Sequence, residues 1–242
     1  MSGHSHFSTI KHKKAASDAK KSKIFSKLSR LLSMAAREKG SSPDTNQKLK
    51  LAIDQAKKAN MPSENIQRAI KKGTGDQIGE NLEEVSFEAY GPGGIAVIIE
   101  GITDNKNRTL AEIKKILLDN GGKLAGERSV KWMFERKGII IAEFDSAVKE
   151  KNNKEETELL AIESGADDVV WQDETLEIKT KPEELEEVKK NLEDKGISIA
   201  SVFLGWSAKE EISMDKEKES CQKLFESLDD NDSVQGVYSN LK

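Results

Sequence analysis

Residues 85–103 read VSFEAYGPGGIAVIIEGIT. Two apolar-rich runs, Val85 to Tyr90 and Ile95 to Thr103, flank Gly91-Pro92-Gly93-Gly94, and together they read as two strands joined by a turn. A glycine-rich loop also invites a phosphate-loop reading. Phosphate loops, however, deliver their amides to a helix N-terminus, and this one leads into a second strand, so a hairpin is expected.

Toward the C-terminus the pattern continues with a helix from about Asn107 to Asn120 and a strand near Val130 to Glu135, giving ββαβ. Next come strand Ile139 to Phe144, helix Lys154 to Ser164, strands Asp168 to Trp171 and Thr175 to Lys179, helix Pro182 to Lys195 and strand Ile197 to Leu204. Their order, βαββαβ, is that of a ferredoxin-like unit. A last helix, Lys216 to Leu228 with Asp215 as its cap, and strand Val234 to Ser239 are too few to stand alone. Added to the ββαβ segment they complete a second α+β layer pair, which makes the ferredoxin-like unit an insertion.

Toward the N-terminus the chemistry changes sign. Residues 1–72 carry 17 Lys and Arg against 5 Asp and Glu, a net of +12, and the rest of the chain carries 22 against 38, a net of −16. Three amphipathic helices are expected there: Ser17 to Arg37 with Ile24, Leu28, Leu31, Leu32 and Ala35 on one face, Asn46 to Ala59, and a third that Ser63 caps and Gly73 terminates. A polar linker follows over Thr74 to Asn81. The expected fold class is therefore α+β in three domains: a basic three-helix bundle over 1–76, a discontinuous α+β domain over 77–136 plus 206–242, and an inserted ferredoxin-like domain over 137–205.

Composition narrows the function. Cys221 is the only cysteine, which excludes an intrachain disulfide and a cysteine zinc cluster and fits a reducing, cytoplasmic setting. No run of 18 apolar residues exists, and the basic first segment merges into a helix of the fold, so neither a membrane partner nor a presequence is expected. The three histidines, His4, His6 and His12, all precede Lys13, so the folded body cannot build a His-activated serine or a Cys-His pair. No metal site, cofactor or catalytic residue is expected, and the chain is read as a non-enzyme.

The charge pattern points to a polyanion, because neutralising phosphates releases their condensed counterions. Candidate phosphate contacts are Lys11, His12, Lys13 and Lys14 on the arm and Lys20, Lys21, Lys23, Lys27 and Arg30 on the first helix. Helices two and three, joined at Asn60-Met61-Pro62, have helix-turn-helix spacing, with Asn65, Gln67, Arg68, Lys71 and Lys72 able to reach base edges or phosphates. The segment Thr103-Asp-Asn-Lys-Asn-Arg-Thr109 joins a strand to a helix, and is either an anion receiver or a capped helix start.

Several stretches carry a resemblance: Gly3-His4-Ser5, Ile10-Lys11-His12-Lys13-Lys14, Asn60-Met61-Pro62, Ile66 to Gly75, Tyr90-Gly91-Pro92-Gly93-Gly94, Thr103 to Thr109, and Asp232-Ser-Val-Gln-Gly-Val-Tyr238. Together they closely resemble the YebC/PmpR family from Gly3 almost to the C-terminus. His6-Phe7 stands where that family usually has Lys-Trp, and Lys13-Lys14 where it has Arg-Lys. The resemblance implies a three-domain cytoplasmic DNA-binding transcriptional regulator, with mitochondrial relatives described as translational activators and some bacterial ones as ribosome-associated factors assisting proline-rich synthesis. It adds a motif cleft of Tyr90, Gly91, Gly94, Asp104, Asn105, Asn107 and Arg108. The expected function is nucleic-acid-binding regulation of gene expression, on DNA or on ribosomal RNA as a translation factor, with a possible protein partner for the acidic domains. A protein-interaction scaffold is the alternative from a different class.

Overall fold

The computed structural model describes residues 18–75, 81–144, 151–172, 174–214 and 216–242, with side chains described from Lys21 in the first helix and from Lys154 in the fifth. They form two compact units, one over 135–207 and one combining the chain up to 134 with 208–242.

The second of these starts with three helices, α1 (Asp18–Lys39), α2 (Gln47–Lys58) and α3 (Ser63–Thr74). Leu32, Ala35 and Ala36 of α1 pack on Leu49, Ala52 and Ala56 of α2 and on Ile66 and Ala69 of α3, where the small side chains let the helices approach closely. Asn46 is fully buried between α1 and α2. Its side chain accepts from Leu49 N at 3.1 Å, capping α2, and donates to Ala35 O at 2.7 Å and Gly40 O at 2.9 Å.

Two expectations about α3 need correction. Pro62 holds the N-cap position without a side-chain bond, and Ser63 is already helical. Gly73 lies inside the helix, which ends at Gly75 in the left-handed conformation (φ 85°). The reason Gly73 is a glycine is spatial, since a Cβ there would sit 2.2 Å from the Ser33 carbonyl oxygen on α1.

The same unit holds a four-stranded sheet, β3-β1-β2-β8, built from β1 (Glu83–Tyr90), β2 (Ala96–Thr103), β3 (Lys123–Leu124) and β8 (Val234–Ser239). The hairpin runs in register from Glu83↔Thr103 to Tyr90↔Ala96, and its turn closes through Gly91 N to Ile95 O at 2.8 Å, with Gly93 and Gly94 at positive φ. Helices α4 (Lys106–Asp119) and α7 (Lys218–Asp229) lay Ile113, Leu117, Cys221, Leu224 and Leu228 on one sheet face, against Val85, Phe87, Val97, Ile99 and Val237. Met34 of α1 packs with Leu82 and Ile102, so the basic bundle and the sheet share buried surface.

The strand expected at Val130 to Glu135 is not the third strand of this sheet. That place belongs to the two-residue β3, and Lys131–Met133 is a short 3-10 turn leading into β4 (Phe134–Glu143). Helix α7 begins two residues later than expected, with Glu217 at its N-cap and no side-chain bond, and Asp215 lies outside the described residues.

The other unit contains most of β4, then α5 (Lys151–Glu163), β5 (Asp168–Gln172), β6 (Thr175–Thr180), α6 (Leu185–Asp194) and β7 (Ile199–Ala208). Its sheet order, β5-β6-β4-β7, is the ferredoxin-like arrangement in which the first and third strands lie side by side at the centre. Ile139 to Ala142 of β4 are all buried, as a central strand requires. The α+β class expected from the sequence is the class observed. Among the described residues no helix is long and apolar enough to cross a membrane.

Candidate nucleic-acid interface

The basic residues proposed from sequence divide into groups with different surroundings. Lys11, His12, Lys13 and Lys14 lie outside the described residues, and Lys20 lies in α1 without a described side chain. Lys21 is exposed. Lys23, Lys27 and Arg30, spaced at i, i+4 and i+7 on α1, all face the acidic turn between α7 and β8. Lys23 pairs with Asp230 at 3.2 Å near the surface, and Lys27 pairs with Asp229 at 3.2 Å with only 12% and 21% of the two side chains exposed. Arg30 donates to Asp232 O at 3.0 Å, Ser233 Oγ at 3.1 Å and Ile102 O at 3.3 Å. These three cations are therefore a docking seam between the basic helix and the acidic body.

A different stripe of α1 faces outward toward α3. Ser22, Ser26, Ser29 and Ser33 recur at heptad spacing along it, and they line two cavities of about 320 and 210 Å³. Ser26, Ser29 and Lys72 border both, so the cavities form one groove. Asn65 and Arg68 of α3 line one end, and Arg37 with Gly73 lines the other, where Arg30 of the seam also borders the cavity. Among the described residues no acidic side chain borders either cavity. Ser33 is partly spoken for, donating to Ala69 O at 2.7 Å. Gln67 and Lys71 are exposed on α3 and do not line the groove.

Chemically, hydroxyls flanked by guanidinium and ammonium groups suit phosphate oxygens, which accept from all three. The sequence reading found Asn65, Arg68 and Lys72 but missed Arg37 and the serines, because it followed lysine clusters and the helix-turn-helix positions of α3. Their heptad spacing on an amphipathic helix was the available signal.

The motif residues do not assemble into one cleft, and that expectation is corrected by the register. Tyr90 pairs with Ala96 at the turn end of the β1–β2 ladder, and Thr103 pairs with Glu83 at the other, so the two groups stand about 20 Å apart at the usual rise per strand residue. At the Thr103 end Asn105 caps α4 by accepting from Arg108 N at 3.0 Å, and Arg108 is ion-paired to Asp104. Burial pushes the Asp104 carboxyl up, but its own backbone amide and Arg108 outweigh that and hold it below the usual carboxylate range. Asn107 is exposed on the first turn of α4. The segment is thus a capped helix start, and it supports the seam, since Thr109 Oγ1 donates to Thr103 Oγ1 at 2.8 Å and reaches Ser233 Oγ, the acceptor of Arg30, at 3.3 Å.

At the turn end, Tyr90 is half-buried with Lys123 Nζ 5.7 Å from its ring centre, while Gly91 is buried and Gly94 exposed. The neighbouring loop is pinned by Glu88, whose carboxylate accepts from the amides of Arg128 at 2.6 Å, Val130 at 2.7 Å and Lys131 at 2.9 Å. Burial pushes this carboxyl up, and the three amides overcome it and lower it below its ordinary value.

Comparison with known proteins agrees with this architecture. The model for the TACO1/YebC protein N-terminal domain matches residues 5–76, and the model for the TACO1/YebC second and third domain matches residues 82–241. A relative from Thermoanaerobacter pseudethanolicus, named a probable transcriptional regulatory protein, is 48% identical over 243 residues, covering 100% of this chain and 97% of its own. A relative of the same name from Caldanaerobacter subterraneus is 46% identical, with 100% and 98% covered. The crystal structure of a conserved hypothetical protein from Aquifex aeolicus superposes with a TM-score of 0.86 at 44% identity, covering 96% of this chain and 95% of that one. With both domain models matched along nearly its whole length, the chain belongs to the YebC/PmpR family, the family of the TACO1/YebC domains.

Proposed function

We propose that this protein regulates gene expression by gripping a nucleic-acid backbone in the groove between α1 and α3, as a binding protein and not as an enzyme. The observation that carries the reading is the acid-free, serine-lined groove bordered by Arg37, Arg68 and Lys72. Hydroxyl and cationic donors on two packed helices fix a phosphodiester path without reading bases. The names of the relatives favour a transcriptional setting, and in that setting this reading assigns duplex DNA as the target. Lys11, His12, Lys13 and Lys14, read from the sequence, supply further phosphate-binding side chains.

One feature supports a second reading, in which the target is ribosomal RNA and the process is translation. A DNA recognition helix presents its N-terminal residues to base edges. In α3 the first turn carries Glu64, and Asn65 and Arg68 border the groove beside α1. That arrangement suits a backbone more than a base edge.

The test uses the full chain with duplex DNA of promoter and scrambled sequence and with an RNA duplex, measured across a salt series. Replacing Arg68 and Lys72 together by Glu should weaken binding by on the order of tenfold or more and flatten the salt dependence. Unchanged affinity would remove the groove from the interface. Preference for promoter over scrambled duplex supports transcription, while indifference to sequence with ribosome co-sedimentation supports translation.

A further inference from the structure

The loop pinned by Glu88 displays Trp132 with 63% of its surface exposed, the largest side chain so presented among the described residues. Its indole nitrogen is not looking for a partner, because it donates to Ser129 O at 3.0 Å. The same carbonyl accepts from Tyr90 Oη at 3.4 Å, so the two aromatic residues converge on one atom. Lys209 Nζ donates to Trp132 O at 2.8 Å, and Lys123 sits over the Tyr90 ring.

This is a rigid mount. Three backbone amides donating hydrogen bonds to Glu88, one from the indole and one from Lys209 fix the loop, so little conformational freedom is lost when something covers the ring. A flat ring with its polar atom already satisfied gains most from a flat apolar partner. The ammonium groups of Lys123, over the Tyr90 ring, and Lys209, on the Trp132 carbonyl, suit the phosphates that flank such a partner, and because Glu127 lies in the loop, charge alone would not select it.

We propose that Trp132 is a stacking platform for an unpaired base of a single-stranded nucleic acid whose backbone passes Lys123 and Lys209. The inference rests on the nucleic-acid reading above and deepens it, because duplex grip by the groove and base capture by Trp132 together suit a target with a helix beside an unpaired stretch. Stacking tolerates any base, so affinity without sequence preference is expected at this end.

Full-length protein is titrated with short oligo(dT) and oligo(U) and, separately, with duplex, following anisotropy and tryptophan fluorescence. Single strands should quench the fluorescence. Trp132→Ala should weaken their binding by on the order of tenfold, Trp132→Phe should restore most of it, and neither should alter duplex affinity. Lys123→Glu, which leaves the bonds of the loop intact, should weaken single-strand binding alone. Duplex binding that survives with single-strand affinity unchanged in both Trp132→Ala and Lys123→Glu overturns the platform and leaves the groove reading standing. Failure of the wild-type chain to bind either form overturns both.

Discussion

At the scale of the residue, small spaces decide more than charges do. Gly73 was expected to end a helix and instead lets two helices cross, because its missing side chain makes room for the Ser33 carbonyl. Gly73→Ala should therefore destabilise the fold by about 1–3 kcal/mol through overpacking against backbone that cannot swing aside, measured by chemical denaturation. Gly75→Ala, with open space around it but positive φ, should cost about 1 kcal/mol. A larger loss at Gly75 than at Gly73 would contradict this account. The sequence could not distinguish them, since Lys71-Lys72-Gly73-Thr74-Gly75 offers two glycines after the same basic turn.

At the scale of the element, the cationic face of α1 is split between an inward seam and an outward groove. The Lys27–Asp229 pair is largely withdrawn from solvent, so removing one partner leaves the other poorly hydrated. Lys27→Ala should lower stability by about 1–3 kcal/mol and speed amide exchange in α1. The reversed pair, Lys27→Asp with Asp229→Lys, should recover part of the loss, and no recovery would mean that packing and not charge holds the seam.

The loop after β3 responds to acid instead. The pKa of Glu88 is lowered in the folded chain, so its contribution is present above the ordinary value of 4.5 and is lost as pH falls through the lower folded value. Acidification through that range should release the loop and shift Trp132 emission, and Glu88→Gln should abolish the step. Most elements were legible from hydrophobic period, including both sheets. The two-residue β3 was not, because nothing so short has a period. The 3-10 turn before β4 was misread because Val130 and Phe134 are both fully or nearly buried, as they would be in a strand. In the site, Arg68 and Lys72 were legible by charge. The seam was not, because acids about 200 residues away neutralise it.

At the scale of the whole molecule, the unequal halves of the sequence meet inside one compact unit. The excess of +12 in the first 72 residues is not all offered to a partner, because Lys23, Lys27 and Arg30 spend theirs on the acidic turn at 229–232. Strand β8 pairs with β2, so the sheet closes only through the last segment of the sequence. The partners of Lys23 and Lys27 are encoded 207 and 202 residues later. At synthesis rates of about 5–20 residues per second, that gap corresponds to roughly 10–40 s in which α1 has emerged and its seam has nothing to dock against. During that interval Lys23, Lys27 and Arg30 have no acidic turn to face, and its arrival withdraws their charge from what the finished helix offers a partner.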